Sequence, residues 1–92
     1  MSEYIEIEIE TTNDPAVMLF YTNMRLAEEG VELYDSLEDM EEGSAVAQAL
    51  ASIEGIEKIE IGDHTLTVTS DLSVPWHILV GEISAAMKDF FL

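Results

Sequence analysis

Two histidines and a crowd of carboxylates are the side chains in this sequence that can do chemistry. His64 follows Asp63, and His77 stands further on, ahead of an apolar stretch. A neutral imidazole beside a carboxylate can ligate a metal ion or move a proton. Either task needs several such groups converging on one point. Two histidines cannot do it without carboxylate help that spacing alone does not supply. Both are read as surface residues, His64 in a hairpin turn and His77 in the first turn of the final helix. The densest acidic cluster, Glu38-Asp39-Glu41-Glu42, lacks the D-x-[DN]-x-[DN]-G spacing of a calcium loop and reads as a solvated acidic loop. No G-x-S-x-G, Walker or G-x-G-x-x-G pattern occurs, so neither an activated serine nor a phosphate cradle is expected. Cysteine is absent, which removes disulfides, thiolate metal ligands, iron–sulfur ligation by this chain and any thiol nucleophile. The residues thus predict no catalytic, cofactor-binding or metal-ligating side chain, and a binding module rather than an enzyme. The alternative, a small metal-binding protein using carboxylates with His64 and His77, predicts stabilisation of the fold by divalent metals.

Charge narrows the partners. The chain of 92 residues, 48% hydrophobic, is long enough for one modest core and reads as a single domain over residues 1–92. It carries 20 Asp and Glu against three basic residues, Arg25, Lys58 and Lys88, for a net charge of −17. Such a surface repels nucleic acid and anionic lipid, and favours a basic protein partner or simple solubility. Nucleic-acid mimicry needs evenly spaced charges on one face, and only Glu6, Glu8 and Glu10 show that regularity. No apolar run reaches the roughly 18–20 residues of a membrane span. Met1-Ser2-Glu3-Tyr4 shows no basic stretch ahead of an apolar one, so a soluble cytoplasmic domain, monomeric by default, is expected.

The elements that must position these residues follow from hydrophobic periodicity. Tyr4 to Glu10 alternates apolar and charged residues, a strand with Ile5, Ile7 and Ile9 on a buried face and glutamates on the wet one. Thr11-Thr12-Asn13-Asp14-Pro15 is a run of turn formers, and Val17–Thr22 returns as a second strand. Glu28-Glu29-Gly30 marks a break, Val31–Tyr34 suits a short strand, and Leu37–Glu42 suits a helical turn or loop. Ser44 is the natural N-cap of a helix whose Val46, Ala49, Leu50 and Ile53 recur at helical spacing, with Gly55 as its C′ stop. A second hairpin follows, Ile56–Ile61 and His64–Thr69 about a turn at Gly62-Asp63, with Ile59, Ile61, Leu66 and Val68 inward. Pro75 opens the last helix, whose core stripe is Trp76, Leu79, Val80, Ile83, Met87 and Phe90. Gly81 reads as a close helix–sheet contact, and Phe91 and Leu92 as an exposed apolar tip. The order ββ(β)αββα is an α+β two-layer sandwich, an antiparallel sheet with two helices on one face.

One pattern resembles a known family. Glu10-Thr11-Thr12-Asn13-Asp14-Pro15 through Phe20 is similar to the opening E-T-x-P-N-P-x-x-x-K-F of the N-terminal domain of Nfu/NifU-type iron–sulfur scaffold proteins. Ser44 to Ile59 looks like that family's S-P-L-A-x-x-L-F-x-I-x-G-V-x-x-V, and Gly62-Asp63-His64-Thr65-Leu66-Thr67-Val68 parallels its G-x-D-F-I-T-V. Trp76 with its amphipathic helix matches the family's tryptophan and closing helix. The likeness runs in register from Glu10 onward. It departs where Leu19 replaces a lysine and where no C-x-x-C module follows Leu92. The resemblance implies a small α/β sandwich and a role in contacting proteins during iron–sulfur assembly or delivery, the partner being a scaffold module or a client apoprotein, without ligation of the cluster. The contact residues expected on that basis are Thr12, Asn13, Asp14 and Pro15, Ser44, and Gly62, Asp63 and His64, because binding residues tend to lie on loops over a rigid scaffold.

Overall fold

The computed structural model describes residues 6–27 and 30–91, with side chains through 90. Along the chain it runs β1 (Ile7–Thr11), β2 (Val17–Thr22), β3 (Glu32–Tyr34), α1 (Leu37–Glu41), α2 (Ala45–Ala51), β4 (Ile56–Ile61), β5 (Thr65–Ser70) and α3 (Trp76–Phe91). The strands form one sheet in the order β1-β2-β5-β4-β3, antiparallel at every pairing. The two hairpins therefore meet through their second strands, β2 against β5, with Phe20 opposite Leu66 and Met18 opposite Val68. Period-two alternation sends Met18, Phe20, Ile59, Ile61, Leu66 and Val68 to the helix side, where all are buried. Leu79, Ile83 and Met87 of α3 join them there with Val46 and Leu50 of α2. The α+β fold and the order ββ(β)αββα stand as the sequence reading has them.

The helical layer holds one element more than the two helices expected. Leu37–Glu41 closes into a short helix because Ser36 caps it, its side chain accepting from the Asp39 amide at 3.2 Å. Met40 then drops into the core, fully buried. Glu38, Asp39, Glu41 and Glu42 are exposed as expected, but on and just past a helix instead of a loop. A tyrosine ties this part of the chain together. The Tyr34 hydroxyl donates to Glu32 at 2.6 Å and accepts from the Ser44 amide at 3.1 Å. The ring lies so close to Gly43 that a Cβ there would clash with its Cε1.

Three packing expectations are corrected. Ile9 is 43% exposed although it shares a face with Ile7, which packs against the core. β1 is an edge strand, and the helix layer thins out over it. Phe90 is 41% exposed because the last turn of α3 reaches beyond the sheet's cover. Gly81 makes no close contact, for a Cβ added there meets nothing within 4 Å. It sits on the exposed side of α3, so its cost is one of backbone entropy alone. Gly81→Ala should therefore stabilise the domain by about 1 kcal/mol, read as a rise in urea midpoint at unchanged slope.

Helix boundaries shift in a similar way. α2 ends at Ala51 with Ser52 as its cap, and the Ile53 amide donates to Leu50 O at 3.1 Å. Gly55 lies beyond that cap, at φ +96, in the turn that leads into β4. Pro75 precedes α3, and its carbonyl accepts the first helical bonds from Ile78 and Leu79 at 3.0 and 3.1 Å. The expectations for Tyr4, Ile5, Glu28, Glu29, Leu92 and the side chain of Phe91 fall outside the described residues.

Candidate protein-contact loops

The β2–β5 pairing decides where the expected contact residues go. Val17 lies opposite Thr69, and Tyr21 opposite Thr65. The loop Thr12–Pro15 is therefore at one end of the sheet, and the turn Gly62–His64 is at the other. β5 has six residues, which puts the two loops about 17 Å apart at the usual rise of a strand. The sequence names both loops as candidates without placing them relative to one another; the structure puts them at opposite ends of the sheet.

The β1–β2 loop is built from its own side chains. The Thr12 hydroxyl donates to the carbonyls of Asp14 and Val17, each at 3.0 Å, and accepts from the Asp14 amide at 3.1 Å. The Asp14 carboxylate accepts from the Ala16 amide at 2.9 Å, an Asx turn. From across the chain, the Trp76 indole donates to the Pro15 carbonyl at 2.7 Å. Asn13, Asp14 and Pro15 remain exposed. The loop is thus fixed in shape while its outer surface stays open. Trp76 does two jobs, since its ring packs against the core and its N–H holds the loop.

Beside this loop runs the β5–α3 connection. Leu72 adopts φ +66, outside the region ordinary L-residues favour, and is 62% exposed. Its amide donates to the Ser70 hydroxyl at 2.8 Å, and the Asp71 carboxylate accepts from both the amide and the hydroxyl of Ser73, at 2.8 and 2.5 Å. Those Ser73 bonds hold the Asp71 carboxyl below its ordinary value. Leu72, absent from the sequence expectation, is recognisable only by its backbone angle, which composition does not reveal.

At the opposite end, Gly62–His64 fastens the chain between β2 and β3. Leu26 donates its amide to Asp63 O at 2.6 Å, and Thr22 donates to His64 O at 2.9 Å. His64 Nδ1 lies 3.0 Å from Met24 O; a carbonyl only accepts, so Nδ1 carries the hydrogen. The Arg25–Asp63 pair, 4.0 Å apart with both side chains more than half exposed, adds little. His64 here serves the architecture. Ser44 does the same, with its hydroxyl accepting from the Ala47 amide as the N-cap of α2 and its own amide bonded to Tyr34. Among the described residues, no three His, Asp or Glu side chains gather as a metal site would need.

Fold and loops together define the class: a small two-layer α+β domain that presents preformed loops at both ends of an antiparallel sheet. The chain belongs to the family described as scaffold protein Nfu/NifU N terminal, which matches over residues 7–92. Over 85 residues it is 32% identical to the mitochondrial NifU-like protein 4 of Arabidopsis thaliana, a stretch that is 92% of this chain and 30% of that protein. The solution structure of a NifU-like protein from Saccharomyces cerevisiae shares the fold at a TM-score of 0.76 and 23% identity, covering 94% of this chain and 77% of that one. Protein SAV1430 from Staphylococcus aureus shares it at 0.73 and 16% identity, covering 92% of this chain and 99% of the other.

Proposed function

We propose that this chain is a non-enzymatic contact module in iron–sulfur cluster assembly or delivery, which meets a cluster-bearing scaffold module or a client apoprotein and does not itself ligate the cluster. The observation that carries the reading is the Thr12–Pro15 loop. Its hydrogen bonds are satisfied internally and by Trp76, while Asn13, Asp14 and Pro15 face outward. A loop already ordered loses little entropy on binding, which is where much of the cost of association lies. Support comes also from the scaffold family to which the chain belongs and from a sequence without cysteine, which offers no thiolate for a cluster.

The separation of the loops sharpens the expectation. A small partner docks at one end of the sheet; both loops carry exposed residues, and the Thr12–Pro15 end adds the exposed Leu72 beside its loop. Titrating the isotope-labelled chain with a cysteine-bearing Nfu-type cluster module, at about 0.15 M salt to suppress charge-driven association, should move the amides of Asn13, Asp14 and Ala16 and the Trp76 indole signal. The turn at Gly62–His64 should stay still. Absence of any localised shift would remove the contact role and leave only the family relationship.

A further inference from the structure

A second surface lies on the helix layer, away from both loops. An open groove of about 670 Å³ is left between the end of α2, the start of α1 and the flank of α3. Its floor is apolar and shallow: Leu37, 46% exposed, with Ala51, Ala85 and Ala86. Its rim is acidic, formed by Glu54, Glu82 and Asp89. Among the described residues no basic side chain lines it. Lys88 neighbours Asp89 in sequence, but successive helical residues are turned about 100° from each other.

The arrangement along α3 is regular. Glu82, Ala85, Ala86 and Asp89 stand at i, i+3, i+4 and i+7, one flank of the helix beside its core stripe of Leu79, Ile83 and Met87. The two carboxylates are thus about 10 Å apart along the axis, two turns, with small side chains between them that let another backbone come close.

We infer that this groove seats a basic amphipathic helix of a partner protein, with Lys or Arg seven residues apart flanking apolar residues, in the sequence sense K-x-x-h-h-x-x-K. Charge selects that occupant. A second copy of this chain, at −17 and with three basic residues, would bring acid against acid. Nucleic acid and anionic lipid meet the same repulsion. A cationic helix gains at both ends of the groove and buries its apolar stripe on Leu37 and the alanines, the helix-in-groove mode of recognition. The inference rests on the reading of the chain as a protein-contact module, and it names a different surface and partner chemistry from the loop contact.

The test uses a synthetic helical peptide of Lys, Leu and Ala carrying that repeat, and a control in which every Lys is Glu. At about 0.15 M salt, where charges beyond roughly 8 Å are screened, the basic peptide should shift Leu37, residues 51–54 and residues 82–89 saturably, and the acidic control should do nothing. Glu82→Lys and Asp89→Lys, both at exposed positions, should each weaken binding about tenfold or more. Undiminished binding in both variants, shifts centred on Glu6, Glu8 and Glu10, or no binding at all would each overturn the groove assignment. The peptide contains no iron–sulfur component, so any of those outcomes leaves the loop titration to stand or fall separately.

Discussion

Phe20→Ala should cost about 3–5 kcal/mol, the range found when a buried aromatic is truncated and the cavity collapses only in part. A domain of this size has roughly 5–15 kcal/mol in total, so the variant would sit at or near the folding threshold. Phe20 is fully buried in β2, with Ile9 opposite it on one side and Leu66 on the other. It stands at the seam where the two hairpins join, and Leu66, Leu79 and Ile83 share its cluster. All three are on other elements and cannot follow a shrinking side chain without moving a strand or helix. Urea denaturation checks this. With a slope of about 1–2 kcal/mol per molar, the midpoint should fall by about 1.5 M or more. Phe20→Leu, which keeps much of the volume, should lose well under half as much. Equal losses in the two variants would show that the seam depends on the aromatic ring itself rather than on filled space.

The seam is also where sequence reading stopped. Ile59, Ile61, Leu66 and Val68 were legible because a strand with one dry face must alternate, and Leu79, Ile83 and Met87 because a helix over a sheet must repeat at about 3.6 residues. Those patterns locate each hairpin and helix. They do not say which strands of different hairpins are neighbours, since β2–β5 pairing is a contact between residues far apart in the chain. Ile9 and Phe90 were misplaced for the same reason. Their burial depends on where the helix layer stops, and a one-dimensional stripe contains no edge. Tyr34 is a further case: its hydroxyl links β3 to the start of α2 through Ser44, yet the sequence shows only an aromatic at the end of a short run.

The contact residues divide along that line. Thr12, Asp14 and Pro15 were recognisable as turn formers, and the structure uses them so, because turn chemistry is local. The bond from Trp76 to the Pro15 carbonyl spans 61 positions and depends on α3 starting where β2 starts, which only the assembled sheet fixes. Ser44 caps α2 as its place before the helical run indicates, and His64 in the hairpin turn also fastens the chain at Met24, a bond across 40 positions that the sequence does not show. The acidic groove was invisible in sequence. Glu54 belongs to a turn and Glu82 and Asp89 to a helix, and in a chain of 20 acids no subset stands out until three of them line one surface.

Gly55→Ala, a change of a single methyl group, should cost about 2–6 kcal/mol. Two costs add. The backbone stands at φ +96, where an L-side chain is disfavoured by about 1–3 kcal/mol. A Cβ would also lie 2.9 Å from Val74 Cγ2 and 3.0 Å from Val74 Cβ. Valine is stiff about χ1, and its Cβ cannot rotate away from anything. Relief therefore requires the backbone to move, at a cost typical of overpacking, about 1–3 kcal/mol. The backbone is pinned as well, since the Gly55 carbonyl accepts from the Asp71 amide at 2.9 Å, tying the start of β4 to the β5–α3 connection. Strain at Gly55 should thus propagate to the loop that holds Leu72 and, through the neighbouring Glu54, to the rim of the groove. Chemical denaturation measures the first effect, and amide shifts at residues 70–74 and at Glu54 in the folded fraction measure the second. Gly81→Ala is the control, the same methyl added to open space on a helix, and it should move stability in the opposite direction. If Gly55→Ala proved neutral, the turn would have to relax without disturbing Val74, and the coupling between β4, the loop at Leu72 and the groove rim would be lost with it.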